Sequence, residues 1–276
     1  MTFGSLFAGI GGFDLGLERA GMECRWQVEI DAYASSVLAK HWPGVTRWGD
    51  VRTFPVGDPA DWHVDLICAG VPCQPVSHAG KQKGANDDRW MWGEALRVVA
   101  DLSPRFFVAE NPIGLLNHDG GRTFHGILRA FASVGYVCEW HVIAAADVGA
   151  PHRRQRVWLV ADANGRRRKR QRLKKHGDQQ STFGDIADRC GSWGRRAGQA
   201  ASDSKYRGRE GRYSERPWPD PAMSSGWWAT EPSVGRVAHG VPNRVDRLRC
   251  LGNAVVPQVA EVIGRAIIAM ETEVRA

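Results

Sequence analysis

The sequence predicts an α/β fold built on a mostly parallel sheet with helices on both faces. Short apolar runs alternate with helical patterns as far as residue 161, as they do in strand–helix–strand units. Several of these runs are apolar on successive residues, which is typical of strands covered on both faces. The 276 residues suffice for one sizeable core and a smaller lobe.

The predicted elements follow one another in a regular order. Strands are expected at residues 2–7, 25–30, 64–69, 105–110, 137–143 and 156–161. The helices between them are expected at 12–19, 32–41, 92–102 and 123–134. A last helix, within 255–270, carries an apolar stripe that should pack back onto the first part of the chain.

The composition changes after residue 162. Residues 163–235 are rich in Gly, Ser, Arg and Trp and show neither a helical nor a strand period, which predicts a small irregular lobe. We therefore divide the chain into a first domain (1–162), a lobe (163–244) and a C-terminal segment (245–276) that returns to the first domain.

The positive charge is concentrated in the lobe. The chain has a formal net charge of +7, and residues 161–215 hold 15 Lys and Arg against 7 Asp and Glu. Such a cluster attracts polyanions, most often nucleic acid. The alternative is a solvated surface segment without a partner.

Several classes of protein are disfavoured by what the sequence lacks. No apolar stretch approaches the roughly 20 residues that span a membrane, and the N-terminus does not resemble a signal peptide. We expect a cytoplasmic chain with reduced thiols. The six cysteines form neither a CxxC pair nor a cluster with zinc spacing, so no metal is expected.

A glycine-rich loop follows the first predicted strand and opens a helix. It reads Phe7-Ala8-Gly9-Ile10-Gly11-Gly12, and Asp14 stands where a dinucleotide fingerprint has its third glycine. A nicotinamide oxidoreductase is therefore disfavoured. A nucleoside with a zwitterionic tail and no pyrophosphate suits this tighter loop.

Two acidic residues come next in the sequence, Glu29 where the second predicted strand ends and Asp50 further along. Glu29 can bond both hydroxyls of a ribose, and Asp50, with Val51 beside it, suits an adenine amino group. Each could instead be a solvated loop carboxylate. Their order after successive strands favours a nucleoside site.

Cys73 lies just past another predicted strand, between Pro72 and Pro75. The prolines stiffen the backbone, and a sulfur at this position would face a cleft, as a nucleophile must. The alternative is a buried structural thiol.

Taken in order, these motifs resemble those of the DNA (cytosine-5)-methyltransferase family. The matching stretches are FAGIGG, PCQ with Ser77 and GKQKGANDDR, ENP at 110–112, PHRRQRVWLV and LGNAVVP, within 1–162 and 245–270. The resemblance implies a Rossmann-like S-adenosylmethionine-dependent methyltransferase fold, with a seven-stranded, mostly parallel sheet and a small target-recognition lobe.

The resemblance also implies roles for individual residues. In the catalytic set, Cys73 attacks carbon 6 of cytosine, Glu110 bonds ring nitrogen 3 and the exocyclic amine, Arg156 reaches the oxygen on carbon 2 and Arg154 supports the thiol. The implied cofactor contacts are Phe7, Gly9, Gly11, Gly12, Glu29, Ile30, Asp50, Val51, Pro72 and Asn253. The implied DNA contacts are Gln74, Ser77, Lys81, Lys83, Arg89, Arg166, Arg167 and Arg168. Ile30 departs from the family, since many relatives have Trp there.

The expected protein is thus a monomeric DNA methyltransferase that uses S-adenosyl-L-methionine on double-stranded DNA. It should be associated with the nucleoid, or lie in the host cytoplasm if the protein is viral. A cognate restriction endonuclease is a candidate partner. Two alternatives stay open from the sequence. One is a DNA-binding regulatory protein that has lost catalysis, although every expected catalytic residue is present. The other is an RNA cytosine methyltransferase with the same chemistry.

Overall fold

The computed structural model describes residues 1–72, 91–163 and 243–275. Within these ranges seven strands form a single sheet. The strands are β1 (Thr2–Leu6), β2 (Glu23–Val28), β3 (Thr46–Trp48), β4 (Leu66–Ala69), β5 (Phe106–Pro112), β6 (Val137–Ala144) and β7 (Gln155–Asp162). Their order across the sheet is β3-β2-β1-β4-β5-β7-β6.

The sheet is mostly parallel, which confirms the predicted fold class. Strands β1 to β5 pair in parallel, whereas β7 runs antiparallel to both β5 and β6. A short connection, which includes the 3₁₀ turn Ala145–Val148, joins β6 to β7. Such a connection can only produce an antiparallel pair. Residues 164–242 of the predicted lobe lie outside the described residues.

Seven α-helices accompany the strands in the described part of the chain. They are α1 (Gly12–Arg19), α2 (Ala32–His41), α3 (Trp92–Leu102), α4 (Gly114–Asn117), α5 (Arg122–Ser133), α6 (Arg244–Asn253) and α7 (Pro257–Arg275). Three further 3₁₀ turns span Val51–Thr53, Pro59–Trp62 and His118–Gly121.

Each face of the sheet carries its own apolar core. Alternate residues of one strand point to opposite faces, so Phe107 joins a cluster with α3 and α5, while Phe106 joins a cluster with α1 and α7. Both side chains are fully buried. This two-sided covering explains why the strands are apolar on successive residues.

The last helix completes the second of these cores. Val259, Ile263 and Ile267 of α7 are buried in the cluster that contains Phe13 and Leu17 of α1. Val245–Thr272 is long and apolar enough to cross a membrane by length and composition alone. The apolar face of α7 packs on α1 and contributes to that composition, whereas Val245, Leu248 and Leu251 of α6 are exposed.

Candidate active site

The residues expected to form the site follow strands that end at the same edge of the sheet. The glycine loop follows β1, Val71 and Pro72 follow β4, and Glu110 lies near the end of β5. Strand β1 lies between β2 and β4, so the chain order reverses beside it. Ligands of open α/β sheets bind at such a reversal, outside the carboxyl ends of the strands.

The glycine loop has an unusual backbone. Phe7 has φ of 53° and Gly9 has φ of 58°, both in the left-handed region that a bulky side chain rarely adopts. Such strain persists at binding sites because the surroundings enforce it. A Cβ added to Gly9 would meet nothing within 4 Å, so open space adjoins the loop.

Gly12 is needed for close packing. A Cβ at this position would lie 2.4 Å from the main-chain oxygen of Val255, which precedes α7. The glycine therefore allows the C-terminal segment to lie directly against the glycine loop. The sequence had suggested only a role in ligand binding.

We expect Gly12→Ala to destabilise the fold by about 1–3 kcal/mol, because the added methyl group must displace a main-chain carbonyl. Urea unfolding measures this change. Gly93→Ala in α3 is the matched control, since its Cβ would meet nothing within 4 Å. Equal stability of Gly12→Ala and the wild type would show that the two segments are not packed as described.

Glu29 is held rigidly at the end of β2. Its Oε2 accepts a hydrogen bond from the main-chain N–H of Gly9 at 2.7 Å, and its Oε1 accepts one from that of Asp31 at 2.7 Å. Each oxygen retains a lone pair with which it can accept a further hydrogen bond. Ile30, next in the chain, is 68% exposed.

Asp50 is already engaged within the protein. The guanidinium of Arg52 lies 2.6 Å from its Oδ2, and this contact holds the pKa of Asp50 below its usual value. Any ligand amine must therefore share these oxygens with Arg52. Val51 is buried beside it, and its carbonyl accepts a hydrogen bond from Arg97 at 2.7 Å.

These features fit the nucleoside part of S-adenosylmethionine. Two carboxylates, Glu29 and Asp50, suit hydroxyl and amino donors. The exposed Ile30 and the half-buried ring of Phe7 provide apolar surface of the kind that an adenine needs. The open space at Gly9 leaves room for a ligand tail.

Glu110 is a buried carboxyl group beside an arginine. Its side chain is 8% exposed, and its Oε1 lies 3.0 Å from Nε of Arg156. Burial raises the pKa of Glu110 to about 7, although the charges of Arg156 and Arg154 act in the opposite direction. The antiparallel register of β5 and β7 pairs Pro112 with Arg156 and so brings the two side chains together.

Asn111 is a site residue to which the sequence assigned no separate role. Its side chain is buried, and Nδ2 donates to the carbonyl of Val71 at 3.0 Å. Val71 lies two residues before Cys73. The hydrogen bond therefore ties the end of β5 to the loop that leads to the expected nucleophile.

Arg154 binds two main-chain carbonyls close to the start of α7. Its expected role beside the thiol of Cys73, which lies outside the described residues, stays a prediction. Its guanidinium donates to the carbonyls of Gly252 and Ala254, both at 2.8 Å. Burial lowers the pKa of Arg154, and the neighbouring Arg156 charge adds to this effect. Asn253, between those two carbonyls, is the exposed last residue of α6.

The described cysteines are poor candidates for a nucleophile. Cys24, Cys68, Cys138 and Cys250 are free thiols. Burial raises the pKa of each of them, that of Cys138 to about 12. A thiol with a raised pKa supplies little thiolate at neutral pH. Cys73 and Cys190 lie outside the described residues, and of these two the sequence favours Cys73.

A number of the expected site residues lie outside the described part of the chain. They are Cys73, Gln74, Ser77, Lys81, Lys83, Arg89, Arg166, Arg167 and Arg168. Their roles stay predictions. Among the described residues, no group of three or more His, Cys, Asp or Glu side chains could hold a metal ion.

Curated relatives match the same part of the chain. The Type II methyltransferase M.BsuFI of Bacillus subtilis is 38% identical over 161 residues, 58% of this chain and 39% of the relative. M.NlaX of Neisseria lactamica is 39% identical over 162 residues, 58% of this chain and 51% of the relative. The matched region thus spans about half or less of the length of these relatives.

A solved structure with a similar fold comes from a prophage in E. coli, where it is described as a DNA modification methyltransferase. It is 27% identical, covers 60% of this chain and 48% of its own, and has a TM-score of 0.50. The family model described as C-5 cytosine-specific DNA methylase matches residues 1–216. The motifs, the sheet and this match agree, and we conclude that the chain belongs to the C-5 cytosine-specific DNA methylase family.

Proposed function

We propose that this protein transfers a methyl group from S-adenosylmethionine to carbon 5 of a cytosine flipped out of duplex DNA, through a covalent adduct with Cys73. The observation that carries the proposal is the buried Glu110, whose pKa is raised to about 7 beside Arg156. Asn111 connects this carboxyl group to the loop that precedes Cys73.

The reaction requires a nucleophile because carbon 5 of the aromatic ring is itself unreactive. Addition of the Cys73 thiolate to carbon 6 breaks the aromaticity and moves an electron pair towards carbon 5. The bound cofactor supplies an electrophilic methyl group. Loss of the proton from carbon 5 then allows the electron pair to expel the thiolate, which restores both the ring and the enzyme.

Glu110 stabilises the ring while it is activated. With a pKa near 7 the carboxyl group is substantially protonated at neutral pH, so it can donate a hydrogen bond to ring nitrogen 3 as negative charge develops there. Its other oxygen can accept a hydrogen bond from the exocyclic amine. The Arg156 guanidinium, which holds Glu110 in place, has further N–H groups to offer to the oxygen on carbon 2.

The cytosine must leave the duplex to reach this buried carboxyl group. Extrusion costs a few kcal/mol, which contacts to the DNA backbone have to offset. The basic segment that includes Arg166, Arg167 and Arg168 is the best candidate for these contacts, and Lys81 and Lys83 are candidates near the cysteine loop.

Neutralising Arg166–Arg170 should flatten the salt dependence of DNA affinity. The slope of log K against log salt should fall in magnitude by about 0.9 for each phosphate that the protein no longer neutralises. Fluorescence anisotropy at several salt concentrations measures the slope. The control is Arg25→Gln in β2, an exposed arginine that pairs with Glu23. An unchanged slope would show that the cluster does not contact phosphate.

Bisulfite sequencing of DNA from cells that express the protein tests the proposal directly. We expect methylated cytosines in one sequence context and none in cells with an empty vector. RNA from the same cells is sequenced in parallel, because methylation confined to RNA would favour the alternative substrate. Since the curated relatives are Type II methyltransferases, we also propose a restriction endonuclease with the same recognition site as the partner.

A further inference from the structure

Residues 252–256, which we call the junction, are the last two residues of α6 and the three residues that connect it to α7. The junction contacts three parts of the site. The carbonyl of Val255 lies against Gly12 in the cofactor loop. A Cβ on Gly70, in the loop after β4, would lie 3.8 Å from Cγ2 of Val255. The carbonyls of Gly252 and Ala254 accept hydrogen bonds from Arg154.

Arg154 is held in a demanding geometry. Its Nη1 and Nη2 each donate to one junction carbonyl at 2.8 Å, across 98 and 100 residues of sequence. Its φ of 27° lies in the left-handed region, which costs a residue other than glycine of the order of 1 kcal/mol or more. The contacts of the side chain must therefore outweigh the strain in its own backbone.

The position of Arg154 in the sequence adds to its importance. Arg156, two residues later, pairs with Glu110 through Nε. The segment 154–156 thus contacts the Glu110 carboxyl group through Arg156 and the junction through Arg154. A displacement of the junction would be transmitted to the cofactor loop, because Val255 has no free space against Gly12.

We propose that Arg154 is a positioning residue that fastens the junction and so holds the cofactor loop in its binding geometry, rather than a group that acts on the thiol or on cytosine. The link to cofactor binding rests on the proposed function. The fastening itself does not, because it is a property of the protein alone.

Simultaneous hydrogen bonds to both junction carbonyls require an arginine. The planar guanidinium presents two parallel N–H donors that reach two acceptors at once, whereas a lysine ammonium is a compact charge on a flexible stem. Arg154→Lys therefore keeps the positive charge but loses the two parallel N–H donors. Arg154→Gln removes both and serves as a second variant.

Hydrogen exchange followed by mass spectrometry tests the fastening in the protein without ligand. We expect peptides that cover residues 252–256 to exchange faster in Arg154→Lys and in Arg154→Gln than in the wild type. The matched control is Arg265→Lys, which changes an arginine that donates to the carbonyl of Arg19 in α1, away from the site. Unchanged exchange in both Arg154 variants would overturn the proposal.

Calorimetric binding of S-adenosylhomocysteine tests the link to the cofactor. In Arg154→Lys the Kd for S-adenosylhomocysteine should rise on the order of ten-fold, the effect of removing one hydrogen bond from a charged group. In the same variant the KM for S-adenosylmethionine should rise by a larger factor than that by which kcat falls. A lower kcat with unchanged Kd would overturn the proposal in favour of a role at the thiol. If the wild type binds no cofactor while the variants still exchange faster, the proposed function fails and the fastening stands.

Discussion

Cys73→Ser should reduce methyl transfer to DNA by at least about 10³-fold, equivalent to roughly 4 kcal/mol of activation free energy. A serine hydroxyl ionises far less readily than a thiol at neutral pH, so it cannot add to carbon 6. Transfer of a tritiated methyl group to duplex DNA measures the loss. DNA affinity, measured by gel shift, should persist because the charge of the protein is unchanged.

The control for this variant is the same substitution at a cysteine outside the proposed chemistry. Cys138→Ser on β6 changes a half-buried thiol whose pKa is raised to about 12, and its methyl transfer should match that of the wild type. A duplex that carries 5-fluorocytosine should trap a covalent adduct on the wild type and none on Cys73→Ser. Full activity of Cys73→Ser, or an adduct at another residue, would contradict the assignment.

Glu110→Gln should slow the chemical step by about 10²–10⁴-fold, the range for removal of a proton-transferring group. Binding of S-adenosylmethionine should change little, because Glu110 lies at β5 and the cofactor loop at β1. Single-turnover methyl transfer and calorimetric binding separate the two effects. Glu18→Gln, an exposed carboxyl on α1, is the control and should leave both quantities unchanged.

The same substitution should change how stability depends on pH. Because the folded pKa of Glu110 is about 7, above its ordinary 4.5, the folded protein binds the proton more tightly than the unfolded chain does. The carboxyl contributes full stability below about pH 4.5 and loses this contribution as the pH rises through 7. Relative to Glu110→Gln, the wild type should lose about 2–3 kcal/mol between pH 5 and pH 8, measured by urea unfolding. A constant difference would show that Glu110 is not perturbed.

Local signals in the sequence were sufficient for most of the fold. The helices Gly12–Arg19, Ala32–His41 and Trp92–Leu102 begin and end where they were predicted. For α2 the reason is visible, since Asp31 caps the helix by accepting from the N–H of Ala34 at 2.9 Å. A capping side chain acts within a few residues, so the sequence alone can reveal it.

Features that depend on distant residues were not accessible in this way. Strand β3 has three residues with Arg47 at its centre, and its pairing with β2 rather than its composition makes it a strand. The reversed direction of β7 likewise depends on its neighbours β5 and β6.

The candidate site shows the same division. The motif around Glu110 could be recognised from the sequence. The burial of Glu110 and the resulting rise in its pKa depend on the packing of β5 between β4 and β7. The hydrogen bonds of Arg154 to Gly252 and Ala254 join residues that are 98 and 100 positions apart in the sequence. No local sequence pattern predicts them. The contact of Gly12 with Val255 is another long-range constraint that appears in the sequence only as one more glycine.

The packing of α7 on α1 has a consequence for biosynthesis. On the ribosome, α1 (Gly12–Arg19) emerges well before α7 (Pro257–Arg275), the helix that covers its apolar face. Contacts this far apart in sequence form late and slowly. A nascent chain therefore carries its glycine loop on a half-covered helix until α7 has left the ribosome.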